Sequence, residues 1–416
     1  MATFGADQNI SSGDIQFAQQ FASKVAINGI VKNPVIKTLT ENGCINIENK
    51  LEMDKGGTVT MYTRLRETGT GTRGDHDVYS NAQFQDISGR TLNIARISKD
   101  TKWRRKGSQD FQYAPYDLSD GCVENISNWT TGMLSAGIIN QICGNNASSI
   151  TQNALNPGGT FNSTDDTLLN ITANNAAIAP TYWYEANSGG VITTDSGVNS
   201  GNVLTVQDFQ DAVEVIESAD STRPTWQTLN EYSNEGFIAV AFISRTGAYQ
   251  MQNQAVTLGQ GPQIQNIIEA TLAGGKDAKG WANTFMIPML PIKFVIVPDS
   301  WMPRGVTASG LAETANTRRA VLVGANALDL SFGQGMKVPM NGGGNARGNT
   351  GSSGSGKFLP GVSVEIDANY KPLNKETYAT ASCLWGAKKA QANGLGSATG
   401  TSYDLSTYVI THYSAT

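Results

Sequence analysis

Between Pro115 and Gly144 the chain reads PYDLSDGCVENISNWTTGMLSAGIINQICG, and its apolar residues keep a helical period throughout. Leu118, Cys122, Ile126, Trp129, Met133 and Ala136 step by three or four along one stripe, which Val123, Leu134, Ile138, Ile139 and Ile142 widen toward the C-terminal end. Pro115 lies just outside, Asp117 suits the N-cap with Asp120 three residues on, and Gly144 suits a left-handed residue after the last turn. The spacing predicts one helix over 117–143, about 40 Å long at 1.5 Å per residue. Gly121, Gly132 and Gly137 each cost roughly 1 kcal/mol against alanine, so packing rather than propensity must hold this helix. Leu118, Cys122, Ile126, Trp129, Met133, Ile138 and Ile142 are therefore its expected core face.

A chain of 416 residues is more than one core usually organises, so two or three subdomains are expected. With 30 Lys and Arg against 35 Asp and Glu, the net charge of −5 gives no bulk argument for a nucleic-acid binder. No run of eighteen apolar residues occurs, and MATFGADQNISS resembles no secretory leader, so folding in a reducing cytosol without a membrane span is expected. Cys44, Cys122, Cys143 and Cys383 show no CxxC pairing and read as small buried hydrophobes. His76 and His412 are the whole histidine supply, too few for a histidine-rich metal site.

Residues 1–54 read as an arm, with a short helical pattern around Ile15, Phe17, Phe21 and Val25 followed by an extended VKNPVIKTL. Residues 55–104 read as a projecting β-hairpin. In KGGTVTMYTRLRE, Val59, Met61 and Leu65 share one face while Thr60, Tyr62, Arg64 and Arg66 share the other, and TLNIARISKDTKW is the expected returning strand. The intervening loop spells GxGxxG at Gly69, Gly71 and Gly74, but no helix opens there and acidic residues follow, so a cofactor site is not expected. Asp75, His76 and Asp77 lack rigid support for catalysis. Lys99, Lys102, Arg104, Arg105 and Lys106 form a basic run.

Residues 105–203 hold the long helix and a loop-rich stretch. Residues 204–332 hold an amphipathic helix capped by Thr205 with Phe209, Val213 and Ile216 inward, and two strands, GFIAVAFIS and IKFVIVPDSW, that read as buried on both faces. Residues 333–357 are too rich in Gly, Ser and Asn to order themselves and read as a flexible exposed insertion. Residues 358–416 supply three strand-like pieces expected to form an antiparallel meander on the long helix. No HExxH, GxxxxGK[ST], GxSxG or EF-hand pattern occurs, so no catalytic centre, metal or cofactor is expected, and alanine at His76 or at His412 is expected to leave particle formation intact.

In this order, LEMDKGGTVTMYTRLRETGTG, the 115–145 helix, TRRAVLVGANALDLSFG, ASCLWGAKKA and LSTYVITHYSAT resemble the Hong Kong 97-type major capsid proteins of tailed bacteriophages, and within them the N-four-like podophage group. The resemblance implies an α+β fold with an N-terminal arm, an extended β-hairpin loop, a long spine helix, and peripheral and axial domains. It implies a shell subunit assembling as hexamers and pentamers around double-stranded DNA, with separate scaffolding, portal and decoration proteins as further partners and no membrane. Arg64, Arg66, Arg73, Lys102, Arg104, Arg105 and Lys106 are the expected subunit contacts. A carbohydrate-binding or adhesive virion component, suggested by the Asn/Ser/Thr/Gly loops, and a carboxylate-based hydrolase are the alternative readings.

Overall fold

A computed structural model of the chain describes residues 33–48, 58–64, 87–104, 118–144, 178–217, 228–229, 237–257, 284–287, 290–302, 304–306, 313–333, 344–349, 363–371, 376–393 and 402–414. In chain order, helix α1 (Pro34–Glu41) precedes strands β1 (Ile45–Glu48), β2 (Thr58–Arg64), β3 (Ile87–Asn93) and β4 (Ala95–Arg104), and then helix α2 (Leu118–Cys143). Strand β5 (Trp183–Glu185), a 3-10 turn (Asp195–Gly197), α3 (Val206–Glu217), β6 (Ala239–Ser244) and α4 (Arg245–Thr257) follow. Next come β7 (Thr284–Met286), β8 (Ile292–Val297), β9 (Arg304–Val306), β10 (Glu313–Val323) and β11 (Leu328–Gly333). The last six are β12 (Gly344–Asn349), β13 (Ser363–Lys371), β14 (Glu376–Lys389), β15 (Gln391–Asn393), β16 (Ser402–Asp404) and β17 (Thr407–Tyr413).

The spine helix α2 runs unbroken for 26 residues. Its expected stripe is only half of what it buries: from Gly132 to Gly144 every residue is buried, because the helix lies between two sheets rather than on one. Ile126, Met133, Leu134, Ile138, Ile139 and Ile142 share one core with Leu328, Leu330, Phe332, Trp385 and Ala387 from one sheet and Val240, Phe242, Val321 and Val409 from the other. Trp129 packs at the margin of that core, half-buried, and Leu118 and Cys122 occupy the first turns of the helix. Gly144 takes φ +67°, and a β-carbon there would stand 2.3 Å from the Ile178 carbonyl oxygen, so the residue that ends the helix has to be glycine on both counts.

Helix α1 corrects the extended reading of VKNPVIKTL. Pro34 starts the helix instead of breaking it, since the first turn needs no N–H from that position. Asn33 caps it, accepting from Val35 N at 3.0 Å and Ile36 N at 3.2 Å, and donates to the Thr131 carbonyl at 3.1 Å and Ser135 Oγ at 2.9 Å on the spine. The helical pattern expected around Ile15–Val25 lies outside the described residues.

One sheet has the order β1-β11-β14-β13-β12, with β4 also paired to β14. Strand β14 is the shared rail: residues 376–382 pair with β13, 384–389 with β11, and 376–385 with β4. The returning strand of the hairpin is thus two strands in different sheets. β3 pairs with β2 and starts at Ile87, four residues earlier than expected, while β4 leaves the hairpin at Ile94 to join β14. The insertion at 333–357 is also corrected in part, because Gly344–Asn349 pair with β13. Backbone hydrogen bonds to an open edge suffice for that, with no apolar side chain required.

The other sheet has the order β5-β17-β10-β6-β8-β7, with β9 on β10. Its β6 is buried at all six positions, as the continuous apolar run predicts, and β8 at four of six. Val240, Phe242, Val321, Val323 and Val409 face the spine, while Ala241, Ile243, Leu322 and Ile410 face a second core under α3 and α4 built on Phe209, Ala212, Ile216 and Met251. Thr205 caps α3 through reciprocal bonds with Asp208 (Thr205 N to Oδ2 2.7 Å; Asp208 N to Thr205 Oγ1 3.2 Å). Strand β17 departs from the expected meander. It is buried on both faces at six of seven positions, and that suits the interior of this sheet rather than an edge of the first.

Candidate functional site

The hairpin has a small core of its own among the described residues. Val59, Met61, Leu92 and Ile94 form a small separate cluster on its inner face. Thr58, Thr60 and Tyr62 face outward; the Tyr62 ring lies over Gly89 on the opposite strand and stays 67% exposed. This alternation is the one the sequence predicts.

What joins the hairpin to the body is Arg90. Its Nε donates to Asp329 Oδ2 at 2.7 Å and its Nη2 to Asp329 Oδ1 at 2.9 Å, a bidentate pair with both side chains buried. Nη2 also reaches Thr63 Oγ1 on β2 at 2.7 Å, and Nη1 the Gln391 carbonyl on β15 at 3.1 Å. One guanidinium therefore holds β2, β3, β11 and β15 together. Lys388 Nζ adds a more exposed bond to the Thr91 carbonyl at 3.1 Å. Where the chain leaves β3 for β4, it crosses β14 at Gly386, and a β-carbon there would stand 2.1 Å from the Asn93 carbonyl oxygen.

Two more ion pairs are buried beyond the spine's C-terminus. Arg319 on β10 donates to Asp195 Oδ2 at 2.6 Å and to the Cys143 carbonyl at 2.9 Å, with its guanidinium 4.4 Å from the Trp183 ring centre. Thr411 donates to Asp195 Oδ1 at 2.8 Å and accepts from Trp183 Nε1 at 2.8 Å. Lys389 donates to Asp404 Oδ2 at 2.7 Å, and Asp404 also accepts from Thr181 N and from Gln391 Nε2, each at 2.8 Å. Burial pulls Lys389 below the usual ammonium range against the opposing pull of Asp404. Cys44 and Cys143 are free, buried and pushed up to about 12 by desolvation, so neither is a reactive thiol.

Of the expected contact residues, Arg64 ends β2 opposite Ile87, and Lys102 and Arg104 lie on β4 opposite Tyr378 and Glu376. Glu376 is also in register with Lys371 on β13. Arg66, Arg73, Arg105 and Lys106, the GxGxxG loop and Asp75–Asp77 lie outside the described residues. Among the described residues no group of His, Cys, Asp and Glu is arranged to hold a metal ion, and no helix is long and apolar enough to cross a membrane. The arrangement ties the hairpin to the body and braces two sheets across a helix.

Of the two histidines, His412 lies among the described residues. It is fully buried in β17, with Nδ1 3.3 Å from the Tyr413 carbonyl and Nε2 without a partner. Nε2 sits at the first turn of α4, beside Gly247 and Ser244, and burial depresses its pKa from 6.5 to about 4. The unfolded chain binds this proton below pH 6.5, the folded chain only near pH 4, so the folded state is fully favoured above 6.5 and loses stability as pH falls across that window. The loss amounts to roughly 3 kcal/mol. Urea unfolding at pH 7 and pH 4.5 should show a clearly smaller acid loss for His412→Gln than for the unsubstituted chain; equal losses would refute this account of His412.

The architecture can be set beside solved structures. The capsid protein of Ralstonia phage GP4 superposes with a TM-score of 0.62 at 14% identity, covering 91% of this chain and 89% of that one. This chain has the Hong Kong 97-type capsid fold. The capsid subunit of cyanophage Pam1 matches at TM-score 0.52 and 14% identity, over 89% of this chain and 88% of that one. No protein-family model and no curated protein matches the sequence. On this fold the α+β reading, the pairing of β2 with β3 and the long spine helix stand as expected.

Proposed function

We propose that this chain is the major shell subunit of a tailed-phage head, assembling as hexamers and pentamers into a closed icosahedral shell around double-stranded DNA. The observation that carries this reading is the fold it shares with two phage capsid subunits over about nine-tenths of each chain. The physical chemistry supports it. A shell needs contacts that tolerate slightly different angles between identical copies, and a two-stranded hairpin with Thr58, Thr60 and Tyr62 facing outward supplies contact area that tilts without disturbing the core. A net charge of −5 lets the shell enclose DNA without adhering to it. The subunit is not an enzyme on this reading. It is a virion component made in the host cytoplasm, with scaffolding, portal and decoration proteins as further partners. The neighbours come from a Ralstonia phage and a cyanophage, and neither favours the N-four-like group.

Size-exclusion chromatography with negative-stain microscopy tests this on the full chain, where closed particles or ring-shaped capsomers are expected. A protein that stays monomeric across concentration and salt is not a shell subunit. Arg64 and Arg66 are proposed to meet carboxylates of a neighbouring copy. Arg64→Glu with Arg66→Glu should leave a folded subunit that assembles poorly, whereas normal shells would remove both residues from the interface.

A further inference from the structure

The ion pair at the hairpin base and the ion pair beyond the spine are joined through one residue, Gln391. Its backbone carbonyl accepts Arg90 Nη1 at 3.1 Å, and its side-chain amide donates to Asp404 Oδ1 at 2.8 Å. Asp404 holds Lys389 at 2.7 Å, and Lys389 also donates to the Ala179 carbonyl at 3.3 Å in the segment that returns after the spine. Arg90 holds Asp329 and Thr63 on the other side. A chain of hydrogen bonds thus runs from β2 through Arg90, Gln391, Asp404 and Lys389 to the Ala179 carbonyl, with the Asp329 and Asp404 carboxylates buried.

The hairpin depends on this chain more than on its own packing. A two-stranded hairpin is marginal in water, and this one buries only Val59, Met61, Leu92 and Ile94 in its own cluster. Ile94 is the single residue between β3 and β4 outside either strand, so it is the place where the hairpin can swing while β4 stays on β14. We propose that Arg90 on Asp329, Thr63 and Gln391 is a releasable latch that sets the hairpin's posture, and that the Gln391 side chain ties this latch to the Lys389–Asp404 pair beyond the spine. The latch opens without unfolding the body because β4, β11 and β14 keep their ladder bonds when Arg90 lets go. The device belongs to the single subunit and holds whether or not the chain builds shells.

Gln391→Met isolates the tie, because it removes the amide and leaves the carbonyl that Arg90 uses. Amide hydrogen exchange on the full-length unassembled chain should show protection in β2 and β3 falling roughly tenfold, the factor one charge-assisted hydrogen bond carries, with β10 and β17 unchanged. Unchanged β2 and β3, or an equal fall in β10 and β17, would overturn the tie. Arg90→Lys tests the latch separately, since an ammonium cannot span Asp329, Thr63 and Gln391 as a fork does. It should free β2 and β3 at least as much as Gln391→Met does, and a hairpin as protected as before would overturn the latch. If Gln391→Met fails to fold, Gln391→Asn, one methylene too short to reach Asp404, gives the same reading.

Discussion

Arg319→Leu is expected to lower subunit stability by about 3–5 kcal/mol, the usual cost of stripping one partner from a buried ion pair. The substitution takes the Arg319 guanidinium away from the fully buried Asp195 carboxylate, and it removes the Arg319 donor from the Cys143 carbonyl at the end of the spine. It also removes the cation 4.4 Å from Trp183. For a fold whose whole stability is on the order of 5–15 kcal/mol, that is a large share. Urea titration of the single variant and of Arg319→Met with Asp195→Leu separates the causes. The double variant should recover most of the loss, because the pair itself contributes little beyond the uncompensated charge its breaking leaves. A single-variant loss below about 1 kcal/mol would show the pair to be solvated, contrary to its geometry.

Gly386→Val is expected to have an effect of similar size by another route. A β-carbon at this position would lie 2.1 Å from the Asn93 carbonyl oxygen and 3.1 Å from its carbon, so backbone has to move. Overpacking that side chains can absorb costs roughly 1–3 kcal/mol, and backbone on two crossing strands absorbs less. The clash is placed where β3 passes into β4, so the damage should concentrate at the hairpin base: Arg90 is drawn off Asp329, and the 384–389 pairing with β11 loosens. Limited proteolysis should show earlier cleavage between Thr58 and Asn93 than in the unsubstituted chain, together with a lower Tm. A variant with unchanged proteolysis and Tm would mean the crossing has slack that these distances exclude.

The parts of this fold visible in the sequence are those whose signal is local. The spine announces itself because periodicity and Gly144 act within one helix, and β2 and β6 because alternation or a continuous apolar run describes burial directly. What stayed hidden depends on distant partners. Arg90 sits in SGRTLN as an ordinary polar strand position, and Asp329, the residue that makes it structural, is 239 positions away. Nothing local distinguishes an arginine with a buried carboxylate from one in water. The basic residues 102–106 drew attention by clustering, yet the arginine that grips the hairpin stands alone. Asn33-Pro34 was ambiguous in kind: the dipeptide reads as a break until Thr131 and Ser135 supply the surface on which Asn33 caps a helix. GNARGN carries no strand signal because its pairing uses backbone alone.

The placement of β17 between β5 and β10 has a consequence for how the molecule comes into being. Every other strand of that sheet precedes Thr407 in the chain. During synthesis β10, β6, β8 and β7 can pair among themselves, while β5 has only its short bridge from Tyr184 to Val191 and no strand to join the rest. Until residues 407–413 leave the ribosome, the face of β10 that will receive β17 is open, Asp195 lacks Thr411, and Trp183 has no hydroxyl for its indole nitrogen. Closure of the sheet is therefore timed by translation: β5 and β10 wait apart until β17 has been made.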